Sequence, residues 1–213
     1  LRCLADILVK HPNIIALSDE IYEHIRFEGE HASLAQFSEI FDQVVTVNGV
    51  SKAWAMTGWR LGYIGASKQI ADACNKIQGQ FTSGTSSITQ RAAIAAMDAD
   101  PGVLKEMVET FHKRRDLVLS NLNKIPGVKC NVPTGAFYLF PDVSAYFGTK
   151  DGDQVIKDGD DLCMYLLREG NIALVDGKGF GAPNCIRISY AASEEQLIKA
   201  MERFTAALAK LTR

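Results

Sequence analysis

The sequence predicts an α/β fold: a mostly parallel sheet in residues 1–100, followed by a small α+β domain in residues 101–213. Two continuous apolar runs, Ile14 to Leu17 and Val44 to Val47, are bounded by polar residues, the pattern of strands buried on both faces. Segments of helical length separate and follow such runs, and strands that alternate with helices build layered, largely parallel sheets. Between the two parts stands Asp100-Pro101-Gly102, an N-cap and first-turn proline that would open a long helix.

In chain order, Leu1, Leu4, Ile7 and Leu8 share one helical face, and the helix stops at the breakers His11-Pro12-Asn13. The Ile14–Leu17 strand follows, then a short helix around Leu34–Phe37, then the Val44–Val47 strand with an Asn48-Gly49 turn. Arg60 to Ala66 reads as a third strand, and Ile70 to Ile77 and Ser86 to Met97 as helices. Beyond Asp100 a helix extends to about Lys124. The remainder reads as a strand (Gly135–Phe140), a helix (Asp161–Glu169), two strands (Ile172–Val175 and Ile186–Ser189) and a final helix. Ser193 and Gln196 form a capping-box pattern at its start, and Leu197, Met201, Phe204 and Leu208 line one face.

Hydrophobic residues make up 47% of the 213 residues and charged residues 23%, values ordinary for a globular chain. A net charge of −2 offers no electrostatic basis for binding nucleic acid or an anionic membrane. No apolar run reaches membrane-spanning length. Five scattered cysteines without a CxxC pair, and four histidines without ligand spacing, point away from a disulfide framework or a metal centre and toward a reducing cytosol.

The chemistry concentrates around Lys52, in Gly49-Val50-Ser51-Lys52-Ala53-Trp54-Ala55-Met56-Thr57-Gly58-Trp59-Arg60. A lysine amine partly withdrawn from water at a strand end can attack a carbonyl and form a Schiff base. Arg60, eight residues on, offers a cation suited to phosphate. Pyridoxal phosphate carries both an aldehyde and a phosphate, so the pair points to that cofactor. Asp19 closes the first strand, where a carboxylate points into the ligand crevice of an open α/β sheet, and Tyr22 follows three residues later. Taken alone, Asp19 reads as a helix cap or structural ion pair, and Tyr22 as an aromatic anchor against the sheet. Arg187, between Ile186 and Ile188, needs an anionic partner if buried, which a structural carboxylate could also supply. Gly177-Lys178-Gly179-Phe180-Gly181 precedes a strand and not a helix, which excludes a nucleotide loop.

The Lys52 run resembles the lysine-attachment segment of the class I and II aminotransferases, the aspartate aminotransferase family of fold type I. The resemblance covers essentially the whole chain and implies the C-terminal part of a PLP-transferase large domain plus the small domain. It implies pyridoxal 5'-phosphate as cofactor, with Lys52 as the Schiff-base lysine and proton shuttle, and Asp19 on the pyridine nitrogen. It further implies Tyr22 on the ring 3-oxygen, Arg60 on the phosphate and Arg187 on the substrate α-carboxylate. An amino acid, aspartate foremost, and a 2-oxo acid such as 2-oxoglutarate are the implied substrates, and a homodimer the implied assembly. Three departures stand out. Gly49 replaces a common phosphate-binding serine, and Asp176 replaces a common proline. No arginine lies between Lys76 and Arg91, where the animal-type enzymes carry one for the distal carboxylate. The Gln80–Gly84 stretch is closer to the bacterial and plant branch that includes prephenate aminotransferases.

Family members are about twice as long, and this chain starts at Leu1 within a helix pattern, so it is expected to match their C-terminal half and to be inactive alone. Rival readings are a lyase of the same fold and, from another class, a non-catalytic sensor domain. The joint presence of Asp19, Tyr22, Lys52, Arg60 and Arg187 weighs against the sensor.

Overall fold

Parallel pairing of two strands brought together across 28 residues of chain organises the first part of the molecule. The computed structural model describes the whole chain apart from the side chain of Pro101. It divides into two compact units, Leu1–Val108 and Glu109–Arg213. No helix among the described residues is long and apolar enough to cross a membrane.

The first unit holds α1 (Arg2–Leu8), β1 (Ala16–Asp19), β2 (Val44–Gly49), β3 (Gly62–Gly65), α2 (Lys68–Phe81) and α3 (Ser87–Met97). β1 and β2 run parallel with Ala16 opposite Val44 and Asp19 opposite Val47. β2 and β3 run antiparallel, with Asn48 opposite Tyr63 and Gly49 opposite Gly62. The sheet is therefore evenly split between parallel and antiparallel pairs. The β2–β3 connection holds only the short 3-10 turn Thr57–Trp59 and no crossover helix, so the chain returns antiparallel.

Burial on β1 is one-sided, whereas β2 buries the consecutive Val44 and Val45 on opposite faces. Ala5, Leu8, Leu34, Ile40 and Val44 form a buried cluster with Ala16, Ala35 and Phe37 packed against it. Alternate strand residues face opposite sides, and Leu17, on the other side of β1, is 73% exposed. The expected double burial of this strand is thus corrected: the core covers one face only. The apolar face expected for α1 also differs, because Ala5 and Leu8 turn inward while Leu1, Leu4 and Ile7 are exposed.

α4 (Pro101–Leu122) spans the division between the units. Its first turn is capped as expected, with Asp100 Oδ1 accepting from the Gly102 N–H at 2.6 Å. The second unit adds β4 (Tyr138–Leu139), β5 (Lys150–Asp151), β6 (Gln154–Val155), α5 (Gly159–Gly170), β7 (Val175–Asp176), β8 (Ile186–Ser189) and α6 (Glu194–Lys210). Its sheet has the order β4-β8-β7 with antiparallel pairing throughout. The β5–β6 hairpin was not anticipated, although Asp151-Gly152, with Gly152 at φ +57°, is a turn signal. α6 follows its sequence pattern closely. Ser193 Oγ accepts from the Gln196 N–H, and Leu197, Met201, Phe204 and Leu208 are all buried.

All five cysteines are free thiols. Burial, followed by the nearby Asp176 and Asp160 carboxylates, pushes the Cys163 thiol up to about 12, so it stays protonated at neutral pH.

Candidate active site

The parallel register carries Asp19 to the end of β1 beside Val47 of β2, and the ladder continues one step further through Glu20 N–H to Val47 O at 2.9 Å. A tight turn follows, with Glu23 N–H bonded to Glu20 O and Ile25 N–H to Tyr22 O, both at 2.9 Å. The Asp19 carboxylate is exposed, and its Oδ1 accepts from the Ile21 N–H at 3.3 Å.

Lys52 lies in the loop after β2. Val50 and Ala53, both buried, anchor that loop on either side of it. The loop turns back with Ala55 N–H bonded to Lys52 O at 3.2 Å and Ala55 at φ 52°. Lys52 is half-buried, and its Nζ stands 5.7 Å from the centroid of the Tyr22 ring. Arg60 also has a left-handed backbone, φ 55°; its guanidinium is exposed and donates from Nη1 to Thr57 O at 2.8 Å. Of the residues singled out from the sequence, the fold brings Lys52 and Tyr22 together. Asp19 and Arg60 lie in the same unit, each bonded within its own turn, and Arg187 lies in the second unit.

The Asn48-Gly49 turn is a second correction. Both residues belong to β2 and pair with β3, because Gly49 lets the backbone of β3 approach closely. A Cβ at Gly49 would meet Leu61 O at 2.8 Å and Gly62 Cα at 3.0 Å, which explains why this chain cannot carry a serine there without moving backbone. Gly49→Ser is expected to destabilise the first unit by about 1–3 kcal/mol, read as a lower urea midpoint. An unchanged midpoint would mean that β3 yields freely.

Two carboxylates beside this site escaped the sequence reading. Glu20 is buried, and its oxygens accept from Ser18 Oγ at 2.9 Å and Ser33 Oγ at 2.8 Å, with His31 Nε2 at 2.8 Å. Burial opposes its ionisation, but the hydrogen bonds from His31, Ser33 and Ser18 outweigh that cost and hold its carboxyl below the usual range. Glu23 Oε1 accepts from Asn48 Nδ2 at 2.7 Å. Glu20, Glu23 and His31 bring potential ligand atoms within 4.8 Å of one another. Their irregular spacing in the sequence carried no signal, since only the fold joins them.

In the second unit, Arg187 sits on β8 opposite Val175, half-buried. Its guanidinium lies 4.6 Å from the ring centroid of Tyr138 and 4.6 Å from that of Phe180. Among the described residues it forms no salt bridge, so its charge is held by two aromatic rings and its N–H donors are not spent on a structural carboxylate. Phe180 is delivered by a loop that closes through Gly177 N–H to Cys185 O at 2.9 Å. A Cβ at Gly177 would collide with the carbonyl oxygens of Ala182 and Cys185, so the closure requires glycine.

The model of the class I and II aminotransferases matches residues 1–204. The chain belongs to this family. A bifunctional aspartate aminotransferase and glutamate/aspartate-prephenate aminotransferase of Petunia hybrida is 49% identical to this chain, over 98% of the chain and 44% of the relative. Among solved structures, the aspartate aminotransferase of Rhizobium meliloti is 42% identical, with a TM-score of 0.95 over 99% of this chain and 54% of that one. The aromatic aminotransferase of Pyrococcus horikoshii OT3 is 35% identical, with a TM-score of 0.87 over 98% of this chain and 54% of its own. The chain thus spans about half the length of the relatives it matches.

Proposed function

We propose that this chain supplies the lysine-bearing part of a pyridoxal-phosphate-dependent aminotransferase that moves an amino group from aspartate to a 2-oxo acid such as 2-oxoglutarate. The observation that supports this most is the half-buried Lys52 amine over the Tyr22 ring, in a chain of this family. In this reading residues 1–100 belong to the cofactor-binding large domain and residues 101–213 to the small domain. The longer protein is a cytoplasmic homodimer.

The donor set fits the cofactor. Asp19 offers an exposed carboxylate for the pyridine nitrogen, Tyr22 a phenol for the ring oxygen, Lys52 the amine and Arg60 an exposed guanidinium for the phosphate. Gly49 has no hydroxyl, so Ser51 and backbone N–H groups complete the phosphate site. When bound, pyridoxal phosphate supplies an electron-withdrawing ring that stabilises negative charge at the substrate α-carbon. An ionised Asp19 keeps that ring cationic by holding a proton on its nitrogen. Lys52 Nζ accepts the proton from the substrate α-carbon. Such positioned acid–base groups contribute about 10² to 10⁴-fold. Arg187 receives the substrate α-carboxylate on its free N–H edge, while Tyr138 and Phe180 keep the guanidinium in place.

Incubation with pyridoxal phosphate, borohydride reduction and peptide mapping test the reading. A pyridoxyl adduct confined to Lys52 is expected. Adducts spread over exposed lysines such as Lys68 and Lys199 would count against it. The likeness to the Petunia glutamate/aspartate-prephenate aminotransferase favours prephenate as a second acceptor. Comparing amino transfer to prephenate and to 2-oxoglutarate separates the two.

A further inference from the structure

Glu23 stands where the turn after β1 meets the loop that carries Lys52, and it reaches both flanks of that loop. Its Oε1 accepts from Nδ2 of the buried Asn48 at 2.7 Å, and Asn48 Oδ1 accepts from the Gly49 N–H at 2.7 Å. The same Glu23 oxygen lies 3.1 Å from His24 Nε2. The His24 ring in turn packs edge-on against Trp54, with centroids 5.2 Å apart. Asn48 precedes Lys52 by four residues and Trp54 follows it by two. A single carboxylate therefore joins the turn that presents Tyr22 to both ends of the segment that presents Lys52. An amide buried like that of Asn48 is costly to leave without a partner, which makes the Glu23 bond the fixed point of the arrangement.

We infer that Glu23 is a positioning residue: through Asn48 on one side and His24–Trp54 on the other, it holds the Lys52 amine over Tyr22. The consequence for cofactor capture rests on the reading of Lys52 given above, whereas the clamp is a property of the unliganded chain.

Hydrogen exchange read by mass spectrometry on the full 213-residue chain tests the clamp without cofactor. In Glu23→Ala, amides of Gly49–Trp54 are expected to exchange about tenfold faster, the order set by losing one hydrogen bond to a charged group, while those of Val44–Thr46 keep their protection. Glu23→Gln, which still offers Asn48 an acceptor, is expected to restore protection. His24→Ala is expected to speed exchange around Trp54 alone. Capture of pyridoxal phosphate on Lys52, trapped with borohydride, is expected to fall about tenfold in Glu23→Ala and to recover in Glu23→Gln.

Unchanged exchange at Gly49–Trp54 in Glu23→Ala would overturn the inference, whatever the cofactor does. Should that variant not fold, His24→Ala decides: no change around Trp54 overturns it. If exchange responds but the wild-type chain forms no Lys52 adduct, the clamp stands and only cofactor capture by this chain alone fails.

Discussion

Replacing Lys52 with alanine is expected to lower amino transfer by a holoenzyme containing this chain by at least about 10⁴-fold in kcat. The size follows from two losses at one atom. In the proposed function Nζ is both the nucleophile that holds the cofactor and the base that faces the substrate α-carbon. Lys52→Arg separates these from simple loss of charge, because a guanidinium keeps the cation over Tyr22 but is neither a nucleophile nor a base near neutral pH. Arginine is therefore expected to rescue nothing. Turnover within tenfold of wild type in Lys52→Ala would remove this lysine from the chemistry. The substitution should leave the fold intact, since the buried Val50 and Ala53 anchor the loop.

Arg187→Ala is expected to reduce kcat/KM for the amino acid by roughly 10² to 10³-fold, with a smaller loss in Arg187→Lys. Removing one partner of a desolvated charge pair costs about 2–5 kcal/mol, and each 1.4 kcal/mol is about tenfold. Lysine keeps the charge but loses the two-pronged geometry that matches a carboxylate. The alternative is a purely structural arginine that ties Tyr138 to Phe180. Such contacts contribute only about 0.5–1 kcal/mol each when partly exposed. A structural arginine would then shift the unfolding midpoint slightly and leave kcat/KM unaltered, and that result would end the carboxylate reading.

How far the chain could be read in advance varied with the range of the interaction. The α6 pattern of Leu197, Met201, Phe204 and Leu208 translated directly into a buried face, and Ser193 caps the helix as its spacing implies. These rest on contacts within one or two helical turns. The apolar run Ile14 to Leu17 predicts a strand buried on both sides, yet Leu17 is exposed, because composition says what a strand could bury and not what covers it. Asn48-Gly49 has the composition of a turn and became the end of β2. Its pairing with Tyr63 and Gly62, residues more than ten positions away, outweighed the local preference.

The sequence by itself determined most of the strands and helices, the family resemblance, and the identity of Lys52, Arg60, Asp19, Tyr22 and Arg187 as candidates. Each of these is written in local pattern and residue type. Only the tertiary structure decided that Lys52 meets Tyr22, that Glu23 joins Asn48 to His24, and that two rings cover Arg187 in place of a carboxylate. Those outcomes depend on strand register and loop return, which bring Tyr22 to Lys52, Asn48 to Glu23 and Tyr138 to Arg187 across 25 to 49 positions, and no local pattern encodes such pairings.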